Sequence, residues 1–330
     1  MAFSSSYDNP AAPGQGSAVS NREDLTALLT QLDPTSTPLT SLAPKRKAQA
    51  TNHEWTVDGL SAINHSGIAE GTDISSFNDK FENRARLGNR VQGFRRDYMV
   101  SQVQQAVSSV GANTAAAKVR CLREIKRDIE AAIGSTQDKQ VGSGSAVSLM
   151  RGLTDWIDSA GPSDVPADYR TPAAQIITKT NADVAEEDLN GALASMFNVS
   201  GNLQSVTCVA DTKVRESISQ FMRTGAGNDT QRYTVSGTGK TIQLSVDLFR
   251  SDFGDLRLAN SNPDASVDPT FHDRAHIVNT EHYGVASLIP LKQVELSDQG
   301  GGDRGYCEAW LTLECLDPRA HGRIDEARTS

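Results

Sequence analysis

An α+β fold is predicted for this chain of 330 residues, and three observations predict it. Residues 114–133, TAAAKVRCLREIKRDIEAAI, place Val119, Leu122, Ile125, Ile129 and Ile133 at helical spacing. Residues 305–316 alternate instead: Cys307, Ala309, Leu311, Leu313 and Cys315 fall on one face, Tyr306, Glu308, Trp310, Thr312 and Glu314 on the other. Finally, residues 1–20 and 34–83 are Ser-, Thr-, Gly- and Pro-rich stretches too poor in apolar residues to fold around a core of their own.

Taken in order, the chain opens with a polar arm. Asn21 is placed to cap a helix carrying Leu25, Leu28, Leu29 and Leu32, which Asp33-Pro34 stops. Residues 52–60 change period: His53, Trp55 and Val57 alternate with Glu54, Thr56 and Asp58, which reads as a strand. The Gly-punctuated run after it makes residues 50–83 a long two-stranded excursion, marginal alone and dependent on other surfaces. The helix over 114–133 is a rod of roughly 30 Å at about 1.5 Å per residue. On its solvated side Lys126 and Glu130 are spaced to pair. Gly134 and the GSGSA at 142–146 end it and open a connector.

The middle of the chain reads as α/β. Asp183 and Glu186 have capping-box spacing ahead of the helix EEDLNGALASMF, SVTCVA (205–210) is a buried strand, and a helix starts near Asp211. Ile242, Leu244, Val246 and Leu248 alternate with polar residues as a half-buried strand.

Composition bounds the function. The formal charge of -9 argues against a protein that wraps nucleic acid tightly, which needs a surplus of Lys and Arg to displace counterions. The start lacks the basic and apolar regions of a signal peptide, and no apolar run is long enough to cross a membrane. Cys121, Cys208, Cys307 and Cys315 show no metal or disulfide spacing and read as reduced thiols of a cytosolic product.

Several motifs invite chemistry. SGTGKT (236–241) suggests a phosphate loop, but Thr234 stands where the first Gly is required and a strand follows where a helix is needed, so a hairpin turn explains it. HDRAH (272–276) puts His272 and His276 at i, i+4 near His282, half of a zinc hydrolase pattern. Asp273 replaces the longer Glu, Pro269 lies upstream and a strand-like run begins at Ile277, so loop histidines are the plainer reading. Lys45-Arg46-Lys47 reads as a solvated basic patch, and the three Trp as core or interface residues. No nucleophile elbow occurs, and no catalytic, cofactor-binding or metal residues are assigned.

The order of these parts resembles the major capsid proteins of tailed phages with the Hong Kong 97-type fold, and one branch of them closely, the SU-ten-type. The blocks that carry the resemblance are REDLTALLTQLDPTSTPLTSLAPKRKAQATNHEWTVDGL, LREIKRDIEAAI, VDLFRSDFGDLRL, EHYGVASLIPLKQVEL and EAWLTLECLDPRAHGRI. The resemblance implies an N-arm with a short helix over 1–47, an E-loop over 48–84 and part of a P-domain with a spine helix over 85–149. An A-domain would follow over 150–247, and strands returning to the A- and P-domains over 248–330. It further implies a non-enzymatic subunit, without cofactor, that forms hexamers and pentamers of an icosahedral head shell around packaged double-stranded DNA, touched loosely. Implied partners are copies of itself and portal, scaffold or decoration proteins, with no membrane; the protein would be made in the host cytoplasm and reside in the virion. Only about 20 residues precede Asn21, so a long scaffolding region like that of some relatives is not expected. Lys80 lies at the edge of the E-loop stretch with no flanking pattern that marks it for crosslinking. Two other readings compete: a metal-dependent hydrolase using His272, His276 and His282, and a phage tail or adhesin component.

Overall fold

The computed structural model describes residues 37–74, 77, 79–107, 113–144, 146–201, 203, 206–221, 247–261, 274–297 and 300–327. The helix expected after Asn21, the SGTGKT turn, most of the strand from 241 and His272 therefore lie outside the described residues.

The chain enters through a five-residue helix α1 (Pro38–Leu42) and a short strand β1 (Lys45–Lys47). A hairpin base follows, β2 (Asn52–Val57) with β3 (Ala85–Arg90), then β4 (Gln92–Ser101), α2 (Gln102–Val107) and the rod α3 (Thr114–Gly134). Next come α4 (Leu153–Trp156), β5 (Ile176–Thr180), α5 (Glu186–Ser200), β6 (Val206–Ala210) and α6 (Thr212–Gln220). The last stretch is all strand: β7 (Leu248–Ser251), β8 (Gly254–Asn260), β9 (Arg274–Asn279), β10 (Tyr283–Leu296), β11 (Gly302–Cys315) and β12 (Gly322–Ala327).

Two sheets organise these elements. A four-stranded sheet runs β1-β10-β11-β4, and a six-stranded sheet runs β5-β12-β9-β6-β8-β7. The predicted alternation of β11 is realised: Cys307, Ala309, Leu311, Leu313 and Cys315 all point into the core shared with α3. In the second sheet β6 is buried at every position, as its unbroken apolar run VTCVA requires. Its Val209 and the neighbouring Val278 face the α3 core, while Val206, Cys208, Ala210, Ala275 and Ile277 face the core that includes residues of α5 and α6.

Four expectations are corrected. The buried stripe of α3 is Cys121, Ile125, Ile129, Ala132 and Ile133; Val119 is 49% exposed, because at 100° per residue it lies well round the helix from Cys121, Ile125 and Ile129. The strand pairing of the excursion stops at its base, Asn52↔Arg90 to Val57↔Ala85, and the described residues between 58 and 84 add no ladder. The capping of α5 is shifted from Asp183 to Asp188, whose carboxylate accepts the Ala185 N–H at 3.0 Å. Finally, His276 is a buried residue of β9 and not a loop histidine.

His276 and a second buried histidine, His321, are held by hydrogen bonds in the core. The Thr154 hydroxyl donates to the Gly134 carbonyl at the end of α3 (2.7 Å), leaving its oxygen to accept His276 Nε2–H at 2.8 Å. His321 Nδ1 accepts the Asn279 N–H at 3.2 Å, and its Nε2 lies 3.3 Å from the His282 carbonyl. Both rings are thus held neutral. Burial, reinforced by Arg274 and Arg323, lowers His276 to about 3, and burial lowers His321 to about 4. The unfolded chain takes up these protons near pH 6.5 while the folded chain refuses them, so each histidine favours folding at neutral pH and this advantage is lost as pH falls below about 6.5. Urea titrations at pH 7, 6 and 5 should show the gap in unfolding free energy between wild type and His276→Gln narrowing by about 1.4 kcal/mol per pH unit below about 6.5. A constant gap would mean that His276 titrates normally.

Candidate assembly surface

The described end of the arm and the base of the hairpin are each fastened to the core. At the arm, α1 begins with Pro38, which has no N–H to satisfy, so the free donors of its first turn are Leu39 and Thr40. Glu130 of α3 accepts both, at 2.7 Å and 2.8 Å, and the Thr40 hydroxyl at 2.5 Å. Glu130 is 9% exposed, which corrects its expected place on a solvated face beside Lys126: α1 covers that flank of the helix. Burial pushes its carboxyl above the ordinary range, opposed by the hydrogen bonds from Thr40 and Leu39. Leu39 fills the core and its carbonyl accepts the buried Tyr283 hydroxyl at 3.2 Å.

The arm then runs beside β10. Val285 N–H donates to the Pro44 carbonyl (3.0 Å), β1 pairs in parallel from Lys45↔Val285 to Lys47↔Ser287, and Ala48 N–H donates to Ser287 (3.1 Å). Lys45, Arg46 and Lys47 are exposed as a basic patch, with Arg46 3.2 Å from Glu314. Replacing Glu130 with Ala should free two helix N–H groups and lower stability by about 2 kcal/mol. Proteolysis and hydrogen exchange should then show residues 37–48 opening before α3; an arm as protected as in the wild type would remove Glu130 from this role.

The hairpin is fixed at its base. Trp55 packs on Trp156 with ring centroids 5.8 Å apart, and Leu87 is in the core. The buried Asn89 donates to the carbonyls of Arg151 (3.1 Å) and Leu313 (2.9 Å) and accepts the Arg151 N–H (2.7 Å), so one side chain ties β3, β11 and the segment before α4. The Tyr169 hydroxyl donates to Asn83 at 2.5 Å, and Arg84 pairs with Asp58 at 2.9 Å to close the loop neck.

Past that neck the described residues bond to near neighbours in sequence: Ser66 to Asn64, Thr72 to Ala69, Ile74 to Asp73 and Phe81 to Asp79. Leu60, Ile63, Ile68, Ile74, Phe77 and Phe81 are 62% to 101% exposed. Scattered apolar residues on a surface need no explanation, but six large ones on one projecting loop mark a contact surface. At about 1.5–3 kcal/mol for each side chain removed from water, covering them is worth on the order of 10 kcal/mol per chain.

Of the three histidine candidates the structure describes two. His276 is in the core, His282 is half-buried in the turn after β9 with its carbonyl accepting Leu316 N–H, and His272 is outside the described residues. Among the described residues no group of three or more His, Cys, Asp or Glu is placed to hold a metal ion. Lys80 is exposed in the turn before β3.

A family model described as SU10 major capsid protein matches residues 11–328. The chain belongs to the SU10 major capsid protein family. No curated protein matches it. Among solved structures, the capsid of cyanophage A-1(L) is similar at 12% identity and a TM-score of 0.66, covering 93% of this chain and 97% of that one. The capsid of the native GTA particle is similar at 13% identity and 0.62, covering 97% and 99%. The capsid of cyanophage P-SCSP1u is similar at 13% and 0.61, covering 96% and 95%. At such identities the likeness is one of fold, and it extends over nearly the full length of each chain. An SU10 major capsid protein is a structural component of the phage head, and the outward-facing apolar loop is a feature that a shell subunit can use.

Proposed function

We propose that this chain assembles with copies of itself, as hexamers and pentamers, into the icosahedral head shell that encloses phage DNA in the virion. The observation that carries the assembly reading is the loop between β2 and β3: its base is locked into the core while its six large apolar side chains face water. A neighbouring subunit supplies the missing cover, so stability comes from the lattice rather than from the isolated chain. In this reading residues 1–47 are the N-arm, 48–84 the E-loop, 85–149 the P-domain part with α3 as its spine, 150–247 the A-domain and 248–330 strands shared by the two. The chain is not an enzyme. Portal, scaffold or decoration proteins complete the particle, and synthesis takes place in the host cytoplasm.

Electron microscopy of the purified protein, with light scattering for its mass, tests the reading. Closed or tubular particles, or hexamers and pentamers that convert to them, are expected. A protein that stays a monomer or trimer even when co-expressed with its neighbouring phage proteins would overturn it.

A further inference from the structure

Glu314 meets both the arm and the hairpin with one buried carboxylate. On β11 it stands between Leu313 and Cys315, which point into the core, so its own side chain leaves the opposite face of the four-stranded sheet. It is 5% exposed there, and its Oε2 accepts no hydrogen bond. Two basic side chains reach it from different elements. Arg46 of β1 lies 3.2 Å from Oε2, and His53 of β2 stands 3.6 Å from Oε1, with its Nε2 buried and also without a hydrogen bond. Gly284, the register partner of Glu314 on β10, leaves the room for this meeting. A Cβ at that position would stand 3.3 Å from Arg46 Nε and 3.4 Å from Glu314 Oε2.

A buried carboxylate that lacks hydrogen bonds needs a compensating charge. An arginine supplies that charge at every working pH, whereas a histidine gains or loses it between pH 5 and 8. At 3.6 Å and without a hydrogen bond, the attraction between His53 and Glu314 comes from charge and lapses when the imidazole loses its proton. The other groups around His53 leave this dependence intact. Its register partner Asn89 is neutral, and Glu54 and Arg86 pair with each other on the exposed side of the hairpin. Arg151, reached through the rings of Trp55 and Trp156, is met by Asp138, Asp155 and Asp164. We propose that His53 is a proton-operated latch on the base of the hairpin. Charged, it binds the Glu314 carboxylate and holds β2 and β3 to the body; neutral, it leaves the carboxylate to Arg46 and the base looser. Only the consequence rests on the assembly reading: the latch sets how firmly the loop with six exposed apolar side chains is aimed when a neighbouring subunit meets it. Its sign is opposite to that of the fold as a whole. His276 and His321 make the folded chain less stable as pH falls, while the latch tightens. A hairpin base that gains protection in acid is therefore not following global stability.

The test is hydrogen exchange of the full, unassembled chain at pH 8, 6.5 and 5.5, corrected for the intrinsic rate at each pH, for wild type, H53Q and E314Q. In the wild type, protection of the amides of residues 52–57 and 85–90 should rise on the order of fivefold from pH 8 to pH 5.5. Glutamine keeps a neutral polar group at position 53, so in H53Q the same amides should stay level or lose protection in acid. E314Q should also lose the rise, and residues 45–48 should be less protected than in the wild type at every pH because Arg46 loses its partner. Should E314Q fail to fold, H53Q decides alone. No rise in the wild type, or a rise that persists in H53Q, would overturn the proposal. Particle formation is judged separately: if the wild type forms no particles the assembly reading fails, while exchange in the unassembled chain still decides the latch.

Discussion

Changing Leu60, Ile63, Ile68 and Phe77 together to serine should leave the subunit folded and abolish closed particles. All four side chains are almost fully exposed in the isolated chain, so the folded monomer loses no burial, and surface changes of this kind stay within about 0.5 kcal/mol. Assembly loses the cover they would have gained, about 2 kcal/mol for each, or about 8 kcal/mol per subunit. Repeated at every subunit of a shell, that loss exceeds what any single contact can restore. The measurement is paired: thermal unfolding of the unassembled protein, expected to match the wild type, and particle yield by light scattering and electron microscopy. Wild-type particle yield from the variant would show that the loop does not hold neighbours together.

Arg151→Met should cost the subunit about 3 kcal/mol at pH 7. Arg151 is 1% exposed, and its guanidinium lies 2.6 Å from Asp138, 2.7 Å from Asp164, 3.0 Å from Asp155 and 4.8 Å from the Trp156 ring. Methionine fills much of the volume but leaves three carboxylates facing one another. Asp138 remains wetted, so the loss is smaller than for a fully enclosed charge. The sign of the pH dependence follows from the same cluster. Burial pushes Asp164 up, but hydrogen bonds from Arg151 and Lys139 outweigh it and hold the carboxyl below its ordinary range. Its stabilisation is therefore present above the unfolded carboxylate range and is lost as pH falls through that range. Burial pushes Asp155 up to about 6 against the pull of Arg151, so without the arginine it protonates more readily still. The gap between variant and wild type should thus shrink between pH 7 and pH 4. Urea unfolding at the two pH values reads it directly, and a gap that widens in acid would contradict this account.

Much of the fold was legible because it rests on periodicity. The stripe of α3, the alternation of β11 and the unbroken apolar run of β6 are local patterns, and local patterns fix which side of an element is buried. The resemblance across ordered blocks added the family, which no single block could carry. The errors share one cause. The i, i+4 spacing of Lys126 and Glu130 describes one helix in water, whereas the Glu130 flank is covered by a segment about 90 residues away in sequence. Val119 is apolar and near the helical spacing of the stripe, yet it is 49% exposed, because spacing alone does not say how far round the helix the cover reaches. The nearby Pro269 predicts a loop for His276, and only the pairing of β9 with β6 and β12 puts it in the core.

The sequence by itself determined the α+β class, the rod, the long edge-to-core strands and the presence of an excursion with no core of its own, since each depends on residues close in the chain. Only the tertiary structure decided where the arm is locked by Glu130, which strands share a sheet, how Asn89 and Arg151 tie the hairpin to the body, and that the six apolar residues of the loop face water. Those features are set by groups far apart in sequence that must meet to satisfy a buried donor, a buried charge or an apolar surface, and no local pattern records which partner each will find.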